Sequence, residues 1–559
     1  MLERLRRRAE LGVFLAKVLR STGLAAPIRP TSLARFVRGA RQVKRGPHLA
    51  VMFHAATHPD KEAIVEYGEH GVRRMTWGEL DATINRLANA LHARGVTGGK
   101  RVAVMLPNCT EYLVVQQALA RLGGTAVQIG YRLKPAEIAY ILENSEPNAT
   151  IVHAEYLTAM REARKLAQRS DPMLSVGGES TPQAAQSSHD VDDWDRALAA
   201  ANPEVPPRIR EGDGGGVIVY TSGTTGKPKG ANRSWKKTGF ESVGDMILQM
   251  QIRADDRHLV VCPLYHSAAP AFVAVMMSLG ATVVLQNHFD PEQCLQIIEN
   301  ERITCSMMVP TMLIRMAALP TDVVAKYSTR SLRWVMSGAA PLSTEAARRF
   351  METFGPVLWN FYGSTETGLV TLAGPGDHVT RPGTIGKAMR GNQIRLLDDA
   401  GHAVAPGQVG ELYARNSTLM SGYHGNESAT NEAQREGFYS VGDIGRIDRD
   451  GYYYLESRKH DMVISGGVNI YPREIEDHLA THPKILEAAV VGVPDAEWGE
   501  TLRAFIVLRQ GEQLDEKAVV EYCREALADY KRPRKVTFLA ELPRNPTGKI
   551  LKRELRELA

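Results

Sequence analysis

The 559-residue sequence predicts an α/β fold: a large N-terminal domain of layered sheets and helices, joined to a small α+β C-terminal domain. Three observations lead there. From about residue 50 onward, helical patterns alternate with short β-branched runs, which argues for sheets covered by helices. Glycine- and hydroxyl-rich motifs fall on loops after those runs, where such folds place ligands. Beyond Arg458 the pattern changes to a compact segment with strands at 488–493 and 502–508 and a helix at 515–527.

The chain opens with a basic segment. Residues 1–47 hold twelve Lys and Arg against Glu3 and Glu10, a local +10, so the remainder sums to about −5 of the formal +5. Leu11, Phe14, Leu15 and Val18 recur at helical spacing among Arg4, Arg6, Arg7, Arg8, Lys17 and Arg20. This pattern predicts an amphipathic helix attracted to an anionic membrane face; a solvated or body-docked extension is the alternative. Lys17 interrupts the apolar stretch and no small-residue cleavage site follows, against a signal peptide. Few aromatic residues accompany the basic ones, against nucleic-acid binding.

Further along, 101–105 reads as a strand and 111–121 as the helix after it. More strands are predicted at 149–153, 258–262, 281–285, 304–309, 332–336 and 357–361. The Ser-, Gly-, Gln- and Asp-rich stretch 170–195 reads as a surface excursion, and 202–216, with three prolines and four glycines, as a connector. No apolar run is long enough to span a bilayer. Cys109, Cys262, Cys294, Cys305 and Cys523 form no CxxC pair, so neither a disulfide framework nor a zinc site is indicated, and a reducing, cytoplasmic setting fits.

The connector leads into Val217-Ile218-Val219, a buried-strand signal, and then into Tyr-Thr-Ser-Gly-Thr-Thr-Gly-Lys-Pro-Lys-Gly at 220–230. Gly223, Gly226 and Gly230 let backbone N–H groups face a ligand, Thr221, Ser222, Thr224 and Thr225 add hydroxyls, and Lys227 and Lys229 add charge. Such a loop suits a polyphosphate. It is not a Walker loop, since Pro228 follows Lys227 where Ser or Thr is required.

This string resembles the phosphate loop of the adenylate-forming enzymes, the superfamily of acyl- and aryl-CoA synthetases, luciferases and peptide-synthetase adenylation domains. The resemblance continues in family order at 362–368, 439–443, 457–461, 465–467 and 543–549, and covers roughly residues 50 to 559. It implies four parts: the extension 1–47, a large domain 48–457, a hinge at 458–460 and a small domain 461–559. It also implies ATP, Mg²⁺ and coenzyme A, with a carboxylic acid activated through an acyl-adenylate and then transferred to a thiol.

The residue roles follow from the same resemblance. Thr365 is expected at the α-phosphate and Glu366 at Mg²⁺, a hard carboxylate for a hard cation. Asp443 and Arg458 are expected at the ribose, with Gly338, Ala339, Ala340 and Tyr362 at the adenine. Lys549 is expected to neutralise both the carboxylate and the α-phosphate. Ser465, Gly466 and Gly467 would admit the pantetheine arm of CoA. His460 departs from the acidic residue or lysine usual at the hinge.

Leu264-Tyr-His-Ser267 resembles the family motif lining the acid site. Amino-acid-activating relatives carry an aspartate where His266 stands, so a substrate ammonium would lack its counter-charge here. Small residues at 267–271 and then Phe272, Val273, Met276 and Met277 predict an adaptable apolar wall, where each buried CH₂ would contribute about 0.8 kcal/mol. A medium- or long-chain fatty acid is the first expectation and an aromatic acid the second. Two further readings stay open: an acyl-AMP ligase that loads a carrier protein, and a membrane-associated acyl- or nucleotide-binding protein without catalysis. The intact Thr365, Glu366, Asp443, Arg458 and Lys549 argue against the latter.

Overall fold

The β-branched runs become strands and the motifs follow them. A computed structural model describes residues 2–24, 28–43, 46–68, 71–177, 191–207, 215–221, 228–235, 240–466, 468–495, 497–545 and 549–559. The chain divides into two compact units: Met1–Met307 with Thr321–Trp334 and Ser417–Glu432, and Met308–Pro320 with Val335–Asn416 and Ala433–Ala559.

The first unit carries a seven-stranded sheet in the order Val191–Asp193, Met173–Val176, Ala149–His153, Arg101–Met105, Thr125–Gln128, Gly216–Thr221 and Lys229–Ser234. All neighbours are parallel except the last pair, which is antiparallel with Thr221 facing Lys229. Here the predicted surface excursion is corrected: Met173–Val176 and Val191–Asp193 sit inside 170–195 and complete the sheet edge. Met173 and Leu174 are buried, so apolar burial overrides the polar composition around them.

The same unit holds a run of Cys305–Met308, Arg257–Val260, Thr282–Gln286, Glu62–Gly68 and Gly71–Thr76. The Trp77–Ala93 helix starts at a capping box, Thr76 with Glu79, which satisfies two of the backbone donors a helix start leaves open. Buried Glu66 does similar work for the Thr110–Leu122 helix by accepting the N–H of Thr110 at 3.0 Å and its hydroxyl at 2.6 Å.

The N-terminal segment folds onto this unit. Phe14 and Val18 of the Leu2–Thr22 helix are buried, and Phe14 meets Phe240 edge-on at 6.1 Å. A Cβ at Gly244 would come within 2.8 Å of the Phe14 ring, so the missing side chain lets the helices close. The predicted four-residue stripe is therefore split: Phe14 and Val18 face the body, while Leu11 and Leu15 face outward.

In the second unit, Trp334–Ser337 runs parallel to Leu358–Ser364, which turns into Gly368–Ala373. Thr384–Ala388, Tyr453–Arg458, Asp443–Ile447, Gly410–Arg415 and Phe438–Tyr439 continue the order antiparallel. A separate five-stranded sheet contains Val468–Ile470, Val463–Ser465, Gly499–Leu508, Ile485–Asp495 and Lys535–Phe538. Its own core includes Ile475, Leu479, Val490, Ile506 and Val519.

Candidate active site

Strand register brings the second unit's polar residues together. Asp443 opens one strand and Arg458 ends its antiparallel neighbour, so the two are Cα partners. The Arg458 Nε lies 3.2 Å from one carboxylate oxygen of Asp443, and the Tyr362 hydroxyl donates to the other at 2.7 Å. A carboxylate offers about four lone-pair directions, so these two bonds leave acceptor capacity. Tyr362 is buried against Val370, Ile385 and Leu412, and burial beside Asp443 holds its phenol well above the usual range, fixing it as a donor.

The 364–368 motif forms the turn between Leu358–Ser364 and Gly368–Ala373. The Ser364 hydroxyl accepts from the N–H groups of Glu366 at 3.2 Å and Thr367 at 3.1 Å, and Thr367 Oγ1 accepts from the Ser364 N–H at 3.1 Å. Asn416 secures the turn by donating to the Thr367 carbonyl at 2.9 Å. A Cβ at Gly363 would lie 1.9 Å from the Gly368 carbonyl oxygen, so only glycine permits this approach. Glu366 is thereby held at 6% exposure with Thr365 beside it.

One buried carboxylate fits Mg²⁺, which binds through few protein oxygens and otherwise keeps waters and phosphate oxygens. Among the described residues no group of three or more His, Cys, Asp or Glu gathers to hold a metal.

Lys549 belongs to the same neighbourhood. Its N–H donates to Asn545 Oδ1 and its carbonyl accepts from the Asn545 N–H, both at 2.9 Å, which ties the two residues together. Burial, with help from Arg458, lowers its pKa to about 8, while Asp443, Asp461 and Glu366 pull the other way. His460 is lowered too, by burial first and then by Arg458, Lys549 and Arg556 against the opposing pull of Asp461. Gly338 and Ala340 flank Ala339, an exposed alanine at φ +66°. That left-handed angle is uncommon outside glycine and holds a strained turn after the Trp334–Ser337 strand.

Ser465 ends a strand of the small sheet, and Gly466 follows at φ +56° with its N–H donating to the Trp498 carbonyl at 2.9 Å. The half-exposed Trp498 indole leaves no space for a side chain at Gly466, where a Cβ would meet it at 2.8 Å. Trp498 was missed in the sequence, where a lone Trp in a turn gives no signal of its partner.

In the first unit Thr221 ends its strand with its hydroxyl donating to the Lys229 carbonyl at 3.4 Å. Ser222, Gly223, Thr224, Thr225, Gly226, Lys227 and, in the second unit, Gly467 lie outside the described residues. The Lys229 ammonium sits 5.4 Å from the centre of the Tyr423 ring. His266 lies just before the Ala268–Leu279 helix with its ring 4.1 Å from that of Tyr265; Tyr265 meets Tyr131 edge-on at 5.0 Å, and Tyr131 stacks on Tyr156 at 5.1 Å.

Buried Asn108 pins the turn before His266. It accepts from the Leu264 N–H at 2.9 Å and donates to the carbonyls of Cys262 at 3.1 Å and Gln286 at 3.2 Å. It too escaped sequence reading, since an asparagine after a strand is read as a turn residue. The predicted apolar wall is not open: Phe272, Val273, Met276 and Met277 are all 2% exposed or less. These side chains fill the core that the helix buries.

Comparison with known proteins defines the class. The AMP-binding enzyme family matches residues 52–424, and the AMP-binding enzyme C-terminal domain matches 474–549. The chain belongs to the AMP-binding enzyme family, the adenylate-forming enzymes; CoA ligases of this family use ATP, Mg²⁺ and CoA. It is 36% identical to a feruloyl-CoA synthase of an Amycolatopsis species over 87% of this chain and 94% of that protein. It is 33% identical to the long-chain-fatty-acid–CoA ligase FadD13 of Mycobacterium tuberculosis over 87% of this chain and 93% of that one. The crystal structure of the anthranilate CoA ligase AuaEII with anthranoyl-AMP matches with a TM-score of 0.81 at 26% identity, over 92% of this chain and 98% of that chain.

Proposed function

We propose that this chain is an AMP-forming acid–CoA ligase whose substrate is an aromatic or arylalkyl carboxylic acid. The substrate carboxylate attacks the α-phosphorus of ATP, the bond to pyrophosphate breaks, and the acyl-adenylate forms. The CoA sulfur then attacks the acyl carbon and AMP leaves. Lys549 neutralises the approaching carboxylate and the α-phosphate, and Thr365 donates to the latter. Asp443, set by Tyr362 and Arg458, accepts from the ribose hydroxyls, and the Gly338–Ala340 turn and Tyr362 bound the base. Thr221 and the loop 222–227 hold the β- and γ-phosphates. Glu366 would hold Mg²⁺, which when bound offsets phosphate charge. Residues 458–460 serve as the hinge between a large domain at 48–457 and a small one at 461–559, and Ser465 to Gly467 admit pantetheine in the second step.

The observation that carries the aromatic substrate is the closed face of the Ala268–Leu279 helix. An alkyl chain needs a continuous apolar channel, and Phe272, Val273, Met276 and Met277, expected to wall one, are packed into the core. A compact ring beside His266, Tyr265 and Tyr131 needs no such depth, and the feruloyl- and anthranilate-activating relatives favour the same class. A fatty acid is the second reading, favoured by the 33% identity to FadD13. Pyrophosphate release over ferulate, indoleacetate, anthranilate, octanoate and palmitate, with and without CoA, separates the two. Aromatic acids should exceed octanoate in kcat/KM by at least about tenfold, the scale set by one to two kcal/mol in a pocket. A preference for octanoate or palmitate overturns the aromatic reading.

We also read residues 1–47 as a peripheral contact with an anionic membrane, supported by their local charge. Among the described residues no helix is long and apolar enough to cross a membrane.

A further inference from the structure

Of the seventeen large apolar side chains left exposed among the described residues, seven lie between Leu11 and Val37. Five of them form stripes on two helices, while Val13 lies on another side of the first helix and Ile28 precedes the second. On Leu2–Thr22, Phe14 and Val18 dock on the body, and Leu11, Leu15 and Leu19 form an i, i+4, i+8 stripe at 39–41% exposure. With about 100° per residue, that stripe runs directly beside the docked one, with Arg20 and Lys17 farther round the helix. On Pro30–Ala40, Phe36 docks edge-on against Phe53 at 5.5 Å, while Leu33 and Val37 stay exposed beside it, with Arg38 and then Arg35 farther round.

No ion pair involving Lys17, Arg20, Arg29, Arg35, Arg38 or Arg41 occurs among the described residues. Each helix thus presents an apolar stripe with long cationic side chains about 100° or more farther round, whose stems can lie along the helix while their heads stay in water.

We propose that these two stripes, Leu11, Leu15 and Leu19 with Leu33 and Val37, are a prefolded docking surface for the headgroup and upper acyl region of an anionic bilayer. This rests on the reading of residues 1–47 as membrane-facing and deepens it. The helices attach to lipid while staying docked on the enzyme, because docking and lipid contact use different side chains. Charge selects the occupant. A second copy would bring one +10 segment against another, whereas anionic headgroups neutralise it.

The test is co-sedimentation of the full-length protein with phosphatidylglycerol–phosphatidylcholine vesicles and with phosphatidylcholine vesicles, across salt. The intact protein should sediment with the anionic vesicles only, and added salt should release it. Leu15→Ser/Leu19→Ser and Arg35→Gln/Arg38→Gln/Arg41→Gln should each reduce partitioning at least about tenfold, with pyrophosphate release within about twofold of the parent. If the parent stays in the supernatant, the membrane reading of residues 1–47 falls. If the parent sediments and the leucine variant sediments equally, that reading stands and the stripe assignment falls. A parent dimer in light scattering that Leu15→Ser/Leu19→Ser converts to monomer makes the stripe a self-association surface and overturns the proposal.

Discussion

Around Asp443 the side chains are charged or hydroxylic, and many are held by a named bond; around His266 they are aromatic and aliphatic, and packing holds them. The first arrangement suits chemistry that every substrate shares, because charge develops at the same phosphate whichever acid is activated. The second suits selection, because what enters depends on volume left between rings and helix. A bond can be inferred from two residue types and a register, whereas a volume depends on every neighbour at once. The polar cluster therefore speaks for the reaction more firmly than the aromatic turn speaks for the acid.

The largest effect is expected at the polar cluster. Lys549→Ala should lower acyl-adenylate formation by about 10²–10³-fold, the cost of losing one preorganised charge at the reacting centre, with ATP binding largely kept. Single-turnover pyrophosphate release beside equilibrium nucleotide binding measures both. Full release by the variant would remove Lys549 from the chemistry.

The pH profile probes the same side chain. With a pKa of about 8 in the free enzyme, Lys549 is charged below that pH and neutral above it. If the charged form acts, kcat/KM for adenylation holds at lower pH and falls about tenfold per unit once pH passes 8. Lys549→Arg should move that limb upward, since guanidinium stays protonated. An unmoved limb assigns it to another group.

Gly466→Leu should slow thioester formation about tenfold more than adenylation, because the new side chain would meet the Trp498 ring and strain a φ of +56°. Equal loss in both half-reactions would separate this loop from the thiol step.

Asn108→Ala carries the smallest effect and addresses the aromatic turn. Losing the bonds to Leu264, Cys262 and Gln286 should cost about 1–3 kcal/mol of stability, and should raise KM for the acid more than KM for ATP. Thermal unfolding and the two KM values report it. An equal rise in both would make Asn108 a purely structural residue.

Much of the fold was legible where apolar runs were long: 101–105, 149–153 and 488–493 all became strands, the last within Ile485–Asp495. Met173–Val176 and Val191–Asp193 were not, because four and three residues are too short to show a period and parallel neighbours supply their pairing. Asp443, Arg458, Glu366 and Lys549 stood out in the sequence because each stands in a motif, and the roles proposed for them rest on those motifs. Ser364, Thr367 and Asn416, which hold the Glu366 turn, were not singled out, since a hydroxyl's partner appears only once the turn is folded. Helical periodicity gathered Leu11, Phe14, Leu15 and Val18 into one face, yet adjacent stripes on a helix differ by a few tens of degrees, and the buried pair is the one that meets Gly244 and Phe240.

The decisive experiment is a rapid-quench reaction of enzyme, ATP, Mg²⁺ and ferulate without CoA, followed by addition of CoA. The ordered two-step reaction predicts stoichiometric pyrophosphate and feruloyl-adenylate before CoA arrives, then feruloyl-CoA and AMP as the adenylate disappears. Pyrophosphate that appears only with CoA present, or an adenylate that CoA does not consume, would contradict it.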